Sequence, residues 1–279
     1  MRGSAGRCIL SLLEPTARSA PMNTRLSAEN PFGPTRAGFA WEHVSRRTGP
    51  HLDFGCYDGA FLGALAGEGP RRLVGLDANR EAIERARTRF PSVAFVHAPD
   101  PLPLPFEDAT FESISLLDVL EHVPDQAALL AELARVLRDD GVLVVTVPRQ
   151  HVFSCLDLGN LKFRFPRLHR WFYTLTHSRA AYERRYVSNP DGLIGDISAA
   201  KAWHEHFTEA GLAALLERAG LKVEQFDGSA LLTRLFRPVG IPLQLIPPLR
   251  SPIAALARWD ARTFASMNLY CLAGKGAKR

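Results

Sequence analysis

From residue 41 onward the chain alternates between short, fully apolar runs and stretches whose apolar side chains recur three and four residues apart. This is the pattern of an α/β sheet, because parallel strands need helical crossovers between them. His51 to Phe54 predicts a first buried strand, closed by the turn Gly55 to Gly59. Ala60 to Ala66 opens a helix, and Arg72 to Asp77 predicts a second strand. Arg80 to Arg89 has helical spacing, Val93 to Val96 predicts a third strand, and Ser113 to Leu117 a fourth. Asp125 is placed to cap a helix with the apolar face Leu129, Leu130, Leu133, Val136 and Leu137. Asp140-Gly141 should stop that helix before a fifth strand, Val142 to Val147.

The alternation then breaks. Residues 148–206 are rich in aromatic and Arg side chains, as in Phe163-Arg164-Phe165-Pro166-Arg167-Leu168-His169-Arg170-Trp171-Phe172-Tyr173, and predict an inserted cap over the sheet. Thr208 to Ala219, closed by Gly220, predicts a return to helix, and Lys222 to Phe226 a sixth strand. A Pro-interrupted apolar and basic stretch, Leu231 to Phe264, predicts a lid, and Asn268 to Ala273 a last strand. The expected organisation is a leader over 1–40, a core over 41–150, a cap over 151–206, a core return over 207–228, a lid over 229–266 and a final strand and tail over 267–279.

With 279 residues, 46% hydrophobic, the chain is long enough for a sizeable core and too apolar for disorder. Its net charge of +5 is unevenly placed. Residues 48–150 carry 9 Arg against 16 acids, and the flanks carry 25 basic side chains against 13 acids. The core is therefore acidic and the flanks basic, which suits an anionic acceptor or membrane surface. Cys8, Cys56, Cys155 and Cys271 form no pair at metal or redox spacing, consistent with a reducing compartment. No run approaches the length of a membrane span. A cytoplasmic protein with peripheral membrane contact is the expectation; an Arg-rich, acid-poor leader offers a mitochondrial transit peptide as the alternative, and Met22 offers a second start.

The turn Asp53-Phe54-Gly55-Cys56-Tyr57-Asp58-Gly59 lies at the carboxyl end of the first strand, where open α/β sheets bind ligands. Its G-x-x-x-G spacing is not the dinucleotide fingerprint, and the acid Asp53 repels a pyrophosphate but attracts an ammonium or sulfonium. Asp77, 22 residues after Gly55 at the end of the second strand, suits the two hydroxyls of a ribose. Asp100, after the third strand, is in reach of an adenine amino group. The combination points to an adenosyl ligand without phosphates.

These residues carry a resemblance to the class I S-adenosylmethionine-dependent methyltransferases. The resemblance extends to Leu104-Pro105-Phe106 and Phe111 after Asp100, to Asp118-Val119-Leu120-Glu121-His122-Val123, and to Leu137-Arg138-Asp139-Asp140-Gly141 before the fifth strand. It implies a Rossmann-like sheet, mostly parallel with an antiparallel last strand, and S-adenosyl-L-methionine as cofactor. It implies that Asp53, Gly55, Cys56, Tyr57 and Gly59 line the cofactor turn, Asp77 and Ala78 the ribose, Asp100 the adenine, and that Asp118 follows the fourth strand beside the cofactor. Tyr57 departs from the pattern, standing where many relatives have glycine.

Methyl transfer from a sulfonium is an in-line displacement, and a hydroxyl acceptor must also lose a proton. His122 and Glu121 are the candidate bases. Asp118, Glu121 and His122, at i, i+3 and i+4, would share one face of a helical turn and could hold a divalent ion, with His204 or His206 as further ligands. Expected activity is O-methylation of a small, sugar-like, quinone-like or lipid-linked acceptor. The alternatives are RNA 2′-O-methylation, for which no recognised RNA-binding module is present, and cofactor binding without catalysis.

Overall fold

The computed structural model describes residues 30–32, 35–150, 165–187, 205–229 and 268–276, with isolated helical positions between 248 and 259. Seven strands form one sheet: β1 (His51–Phe54), β2 (Leu73–Asp77), β3 (Ala94–His97), β4 (Phe111–Leu117), β5 (Leu137–Pro148), β6 (Leu221–Ser229) and β7 (Asn268–Lys275). Their order is β3-β2-β1-β4-β5-β7-β6. Strands β3 to β5 through β1 are mutually parallel, and β7 runs antiparallel to both β5 and β6. Order reverses between β1 and β4, so their carboxyl ends open the crevice in which ligands of such sheets bind.

The helices are α1 (Arg36–Val44), α2 (Ala60–Ala66), α3 (Arg80–Arg89), α4 (Gln126–Val136), α5 (Pro166–Thr174), α6 (Arg179–Tyr182) and α7 (Glu209–Arg218). Caps explain where most of them begin. Thr35, Asn79, Asp125 and Thr208 each accept a backbone N–H from the first turn of α1, α3, α4 and α7, satisfying a donor that the helix itself leaves orphaned. Two apolar layers sandwich the sheet. One joins Leu129, Leu130, Leu133, Leu212 and Leu216 to β1, β4 and β5; the other joins Phe39, Trp41, Phe61, Leu62 and Ile83 to β2, β3 and β7.

Three expectations shift. Helix α1 starts inside the span expected to be leader, since Thr35 caps it and Phe39, Ala40, Trp41 and Val44 bury against the sheet. Helix α4 ends at Val136, and Leu137 begins a strand that pairs with Phe111 across a register shift. The apolar side chain at 137 fits a helix face and a strand equally well, and only the neighbouring β4 decides between them. The span expected to be a cap contributes α5, α6 and a π-helical turn, Glu183–Val187. The expected lid lies largely outside the described residues.

Candidate functional site

The turn after β1 is pinned from below. The backbone N–H groups of Gly55 and Cys56 both donate to the Leu76 carbonyl, at 2.7 and 3.1 Å. Gly55 has φ +81° and Gly59 φ +71°, conformations that favour glycine. A Cβ on Gly55 would lie 2.3 Å from Val119 Cγ2, and one on Gly59 2.5 Å from the Phe95 ring. The turn is thus a bare-backbone cradle. Tyr57 also has positive φ, +47°, which explains physically why glycine suits that position. Its hydroxyl accepts from Arg85 at 3.5 Å, and the Arg85 guanidinium lies 5.8 Å from the ring centroid. Cys56 points the other way: it is buried in the apolar layer with Leu62 and Phe95, and burial pushes its thiol pKa up. Its side chain belongs to the core, so only its backbone belongs to the cradle.

Asp77 is held by two backbone donors. Tyr57 N–H reaches Oδ2 and Asn79 N–H reaches Oδ1, each at 2.8 Å. Each oxygen keeps a further acceptor position, which suits a vicinal diol. Ala78 is exposed, with its carbonyl 3.0 Å from His97 Nε2. Asp100 is also exposed, on the loop after β3.

Asp53 is the buried end of a polar ladder across β1 and β4. Register sets His51 beside Ser113 and Asp53 beside Ser115. Ser115 Oγ donates to Asp53 Oδ1 at 2.5 Å, and His51 lies 3.1 Å from Ser115 Oγ and 2.8 Å from Ser113 Oγ. With the Ser115 proton spent on Asp53, its lone pair accepts from His51 Nε2–H, and Nδ1 accepts from Ser113. Burial keeps His51 neutral, with its pKa lowered to about 3. Burial raises the Asp53 pKa to about 7, opposed by the Ser115 hydrogen bond and reinforced by the Asp77 charge. A cation beside Asp53 would hold it ionised.

Past β4 the chain turns at Asp118, φ +54°. Thr146 Oγ1 donates to Asp118 Oδ1 at 2.7 Å while accepting the Asp118 N–H at 3.0 Å. Arg36, from α1, forms an ion pair with the other Asp118 oxygen. Only Leu120–His122 then form a helical turn, of the tighter 3-10 type. The expected shared face of Asp118, Glu121 and His122 is therefore absent: Asp118 precedes the turn, Glu121 is buried and His122 is exposed. Among the described residues no group of three or more His, Cys, Asp or Glu is arranged to hold a metal ion, which corrects the metal expectation. His206 is described, whereas His204 lies outside the described residues.

Glu121 is 9% exposed, and among the described residues neither of its carboxylate oxygens has a hydrogen-bond partner. Burial raises its pKa to about 8, with the Asp118 and Glu205 charges reinforcing the shift and its own backbone N–H and Arg36 opposing it. A buried carboxyl that strips its own solvent and finds no donor is a poor stabiliser and a strong base. Arg36, Thr146, Ser115 and His51 were not singled out in the sequence. Arg36 sits in the span taken for leader and has no pattern of its own. The ladder did leave a signal, because polar residues at 51, 53, 113 and 115 alternate within otherwise apolar strands.

The arrangement is one that an adenosyl ligand carrying positive charge would fit: a buried acid at Asp53, a bare turn, and a carboxylate at Asp77 with acceptor positions left for a diol. Comparisons agree. A family model described as a methyltransferase domain matches residues 37–225. A probable S-adenosylmethionine-dependent methyltransferase of Mycolicibacterium smegmatis is 35% identical over 103 residues, 37% of this chain and 39% of that protein. A demethylmenaquinone methyltransferase of Mycobacterium sp. (strain KMS) is 32% identical over 126 residues, 44% of this chain and 47% of that protein. This chain thus spans less than half the length of either relative. In structure it is similar to a putative sarcosine dimethylglycine methyltransferase from Galdieria sulphuraria, with TM-score 0.53 and 16% identity over 86% of this chain and 83% of that one. The match spans most of the chain and its sheet is Rossmann-like, so the chain belongs to the methyltransferase-domain family, among the class I S-adenosylmethionine-dependent methyltransferases.

Proposed function

We propose that this chain transfers a methyl group from S-adenosylmethionine to an oxygen of a small quinone-like, sugar-like or lipid-linked acceptor, with Glu121 and His122 handling the proton. The observation that carries the reading is the buried carboxylate of Glu121, without hydrogen-bond partners among the described residues and raised in pKa, on the first turn past the Asp118 loop. The similarity to a protein named as a demethylmenaquinone methyltransferase supports a quinone-like acceptor.

When bound, the cofactor supplies an electrophilic methyl on a sulfonium, a leaving group that departs neutral. The residues of the chain do the rest. Asp77 takes the ribose hydroxyls with Ala78 beside it, Asp100 borders the adenine side, and the turn from Gly55 to Gly59 admits the ligand against bare backbone. Asp53 and Asp118 favour the positive charge of the methionine end, and the Arg36 pair keeps Asp118 oriented. Glu121 takes the acceptor's proton as its oxygen attacks, and His122, exposed on the same turn, is the alternative base. Burial around Glu121 makes that proton transfer more favourable than it would be for a solvated carboxylate.

The test is single-turnover methyl transfer with labelled cofactor, against quinol, sugar and lipid-extract acceptors. The expected result is labelled product and S-adenosylhomocysteine from one class, with kcat rising with pH through about 8, because Glu121 acts as a base only when ionised. Glu121→Gln should lower kcat by roughly 100-fold and abolish that limb of the profile, leaving cofactor affinity unchanged. Saturable cofactor binding with no product from any acceptor would overturn catalysis; an unchanged pH profile in Glu121→Gln would overturn the base assignment.

A further inference from the structure

Helix α5 presents two faces of opposite character. His169 and Tyr173 turn inward onto Tyr182 and Tyr186, with ring centroids 4.8 to 5.6 Å apart for the pairs His169–Tyr186, Tyr173–Tyr186, His169–Tyr182 and Tyr173–Tyr182. Tyr182 is fully buried, and the Arg170 guanidinium stacks over its ring at 5.2 Å. That cluster fixes the rotation of the helix. At roughly 100° per residue, Leu168, Trp171, Phe172 and Leu175 then fall within about one third of the circumference, centred roughly 130° around the helix from the ring cluster, with Phe165 at the N-cap. All five are exposed, Trp171 to 56%, Phe172 to 55% and Leu175 to 62%.

The segment that carries this face is basic, with the exposed acid Glu183 just past its end. From residue 158 to 182 the chain has no Asp or Glu and carries Lys162, Arg164, Arg167, Arg170 and Arg179. Among the described members, Arg167 is exposed and borders the apolar stripe. We infer that α5 is an interfacial helix, which lays its Phe165–Leu175 face into the headgroup boundary of an anionic lipid bilayer while Arg167 and its basic neighbours meet the lipid phosphates.

Size separates this from a protein-docking face. Five side chains about half exposed offer on the order of 500 Å², short of the roughly 800 Å² per partner of a stable protein interface. It is ample for shallow insertion in a bilayer, and Trp171 supplies the amphipathic ring that settles at headgroup depth. No described helix is long and apolar enough to cross a membrane, so the attachment lies in the plane. This inference is independent of the acceptor assigned above.

The experiment uses the full chain and vesicles of phosphatidylcholine with or without phosphatidylglycerol, read by cosedimentation and by quenching of tryptophan emission with brominated lipids. Wild type should bind the anionic vesicles, more weakly as salt rises, and show quenching that Trp171→Phe removes while still binding. Trp171→Ser/Phe172→Ser should bind at least tenfold more weakly and Arg167→Glu severalfold more weakly, both with unchanged circular dichroism and unchanged cofactor affinity. Three results would each overturn the inference: no binding by wild type, equal binding by the double variant, or a wild-type dimer that the double variant dissolves without any vesicle binding, which would make the face a contact between copies. Failure of methyl transfer leaves the vesicle result standing.

Discussion

Asp53 is a buried acid that opposes stability at the place proposed for the cationic end of the cofactor. Its carboxyl is buried, and its folded pKa of about 7 stands above the ordinary 3.8. Between those values the folded state binds a proton that the unfolded chain releases, so the contribution of Asp53 is present at low pH and is lost as pH rises through about 7. Asp53→Asn should therefore melt higher than wild type at pH 8, by on the order of 2 kcal/mol, and differ little at pH 4. The same variant should bind S-adenosylmethionine at least tenfold more weakly, and wild-type affinity should fall as pH drops below about 7, when Asp53 takes up its proton. Scanning calorimetry and titration calorimetry across pH check both halves; a variant less stable than wild type at pH 8 would end the argument. The sequence marks Asp53 and Asp77 by their places at strand ends. It does not mark Arg36, because its ion pair with Asp118 spans 82 residues and is made only by the fold.

Among the elements, α4 does more than cover the sheet. Arg135, in its last turn, donates to the carbonyls of Leu104 and Phe106 at 2.9 and 2.8 Å and to the carboxylates of Glu132 and Asp108 at 2.8 Å. Glu132 in turn accepts the Leu104 N–H at 2.8 Å. One helix thus straps down the loop that follows Asp100. Arg135→Ala would strand two carbonyls and a carboxylate pair, costing about 2 kcal/mol in urea unfolding. Arg135→Lys should recover less than half, since an ammonium cannot match the planar fork. The helices themselves were legible where a cap and a 3.6-residue period coincided, as in α3, α4 and α7. The tail of α4 was not, because Leu137 satisfies both periods. The turn after Asp118 was misread for a related reason: i, i+3, i+4 spacing brings side chains together only inside a real α-helix, and here the helical turn begins at Leu120.

At the scale of the molecule, the last strand is structurally interior. β7 lies between β5 and β6, and Leu269 to Ala273 are buried in it. Removing residues 268–279 would expose the β5 edge and strip β6 of the one strand it pairs with among the described residues, so the truncated chain should lose its cooperative thermal transition and aggregate through that edge. A soluble, two-state truncated protein would contradict this. The acidic core and basic flanks also acquire places: several of the acids surround the ligand turn, and basic residues accompany the apolar face of α5. The order of the core strands and helices along the chain, the glycine turn after β1, and the acids at the ends of β1 and β2 were determined by the sequence alone, because each is set by local period, local turn chemistry or position at a strand end. The tertiary structure alone decided which polar residues share one environment. Only it assembles the ladder from His51 to Asp53, strips Glu121 of solvent, separates Glu121 from His122 and leaves one face of α5 in the open, since burial and long-range pairing depend on neighbours that no local pattern encodes.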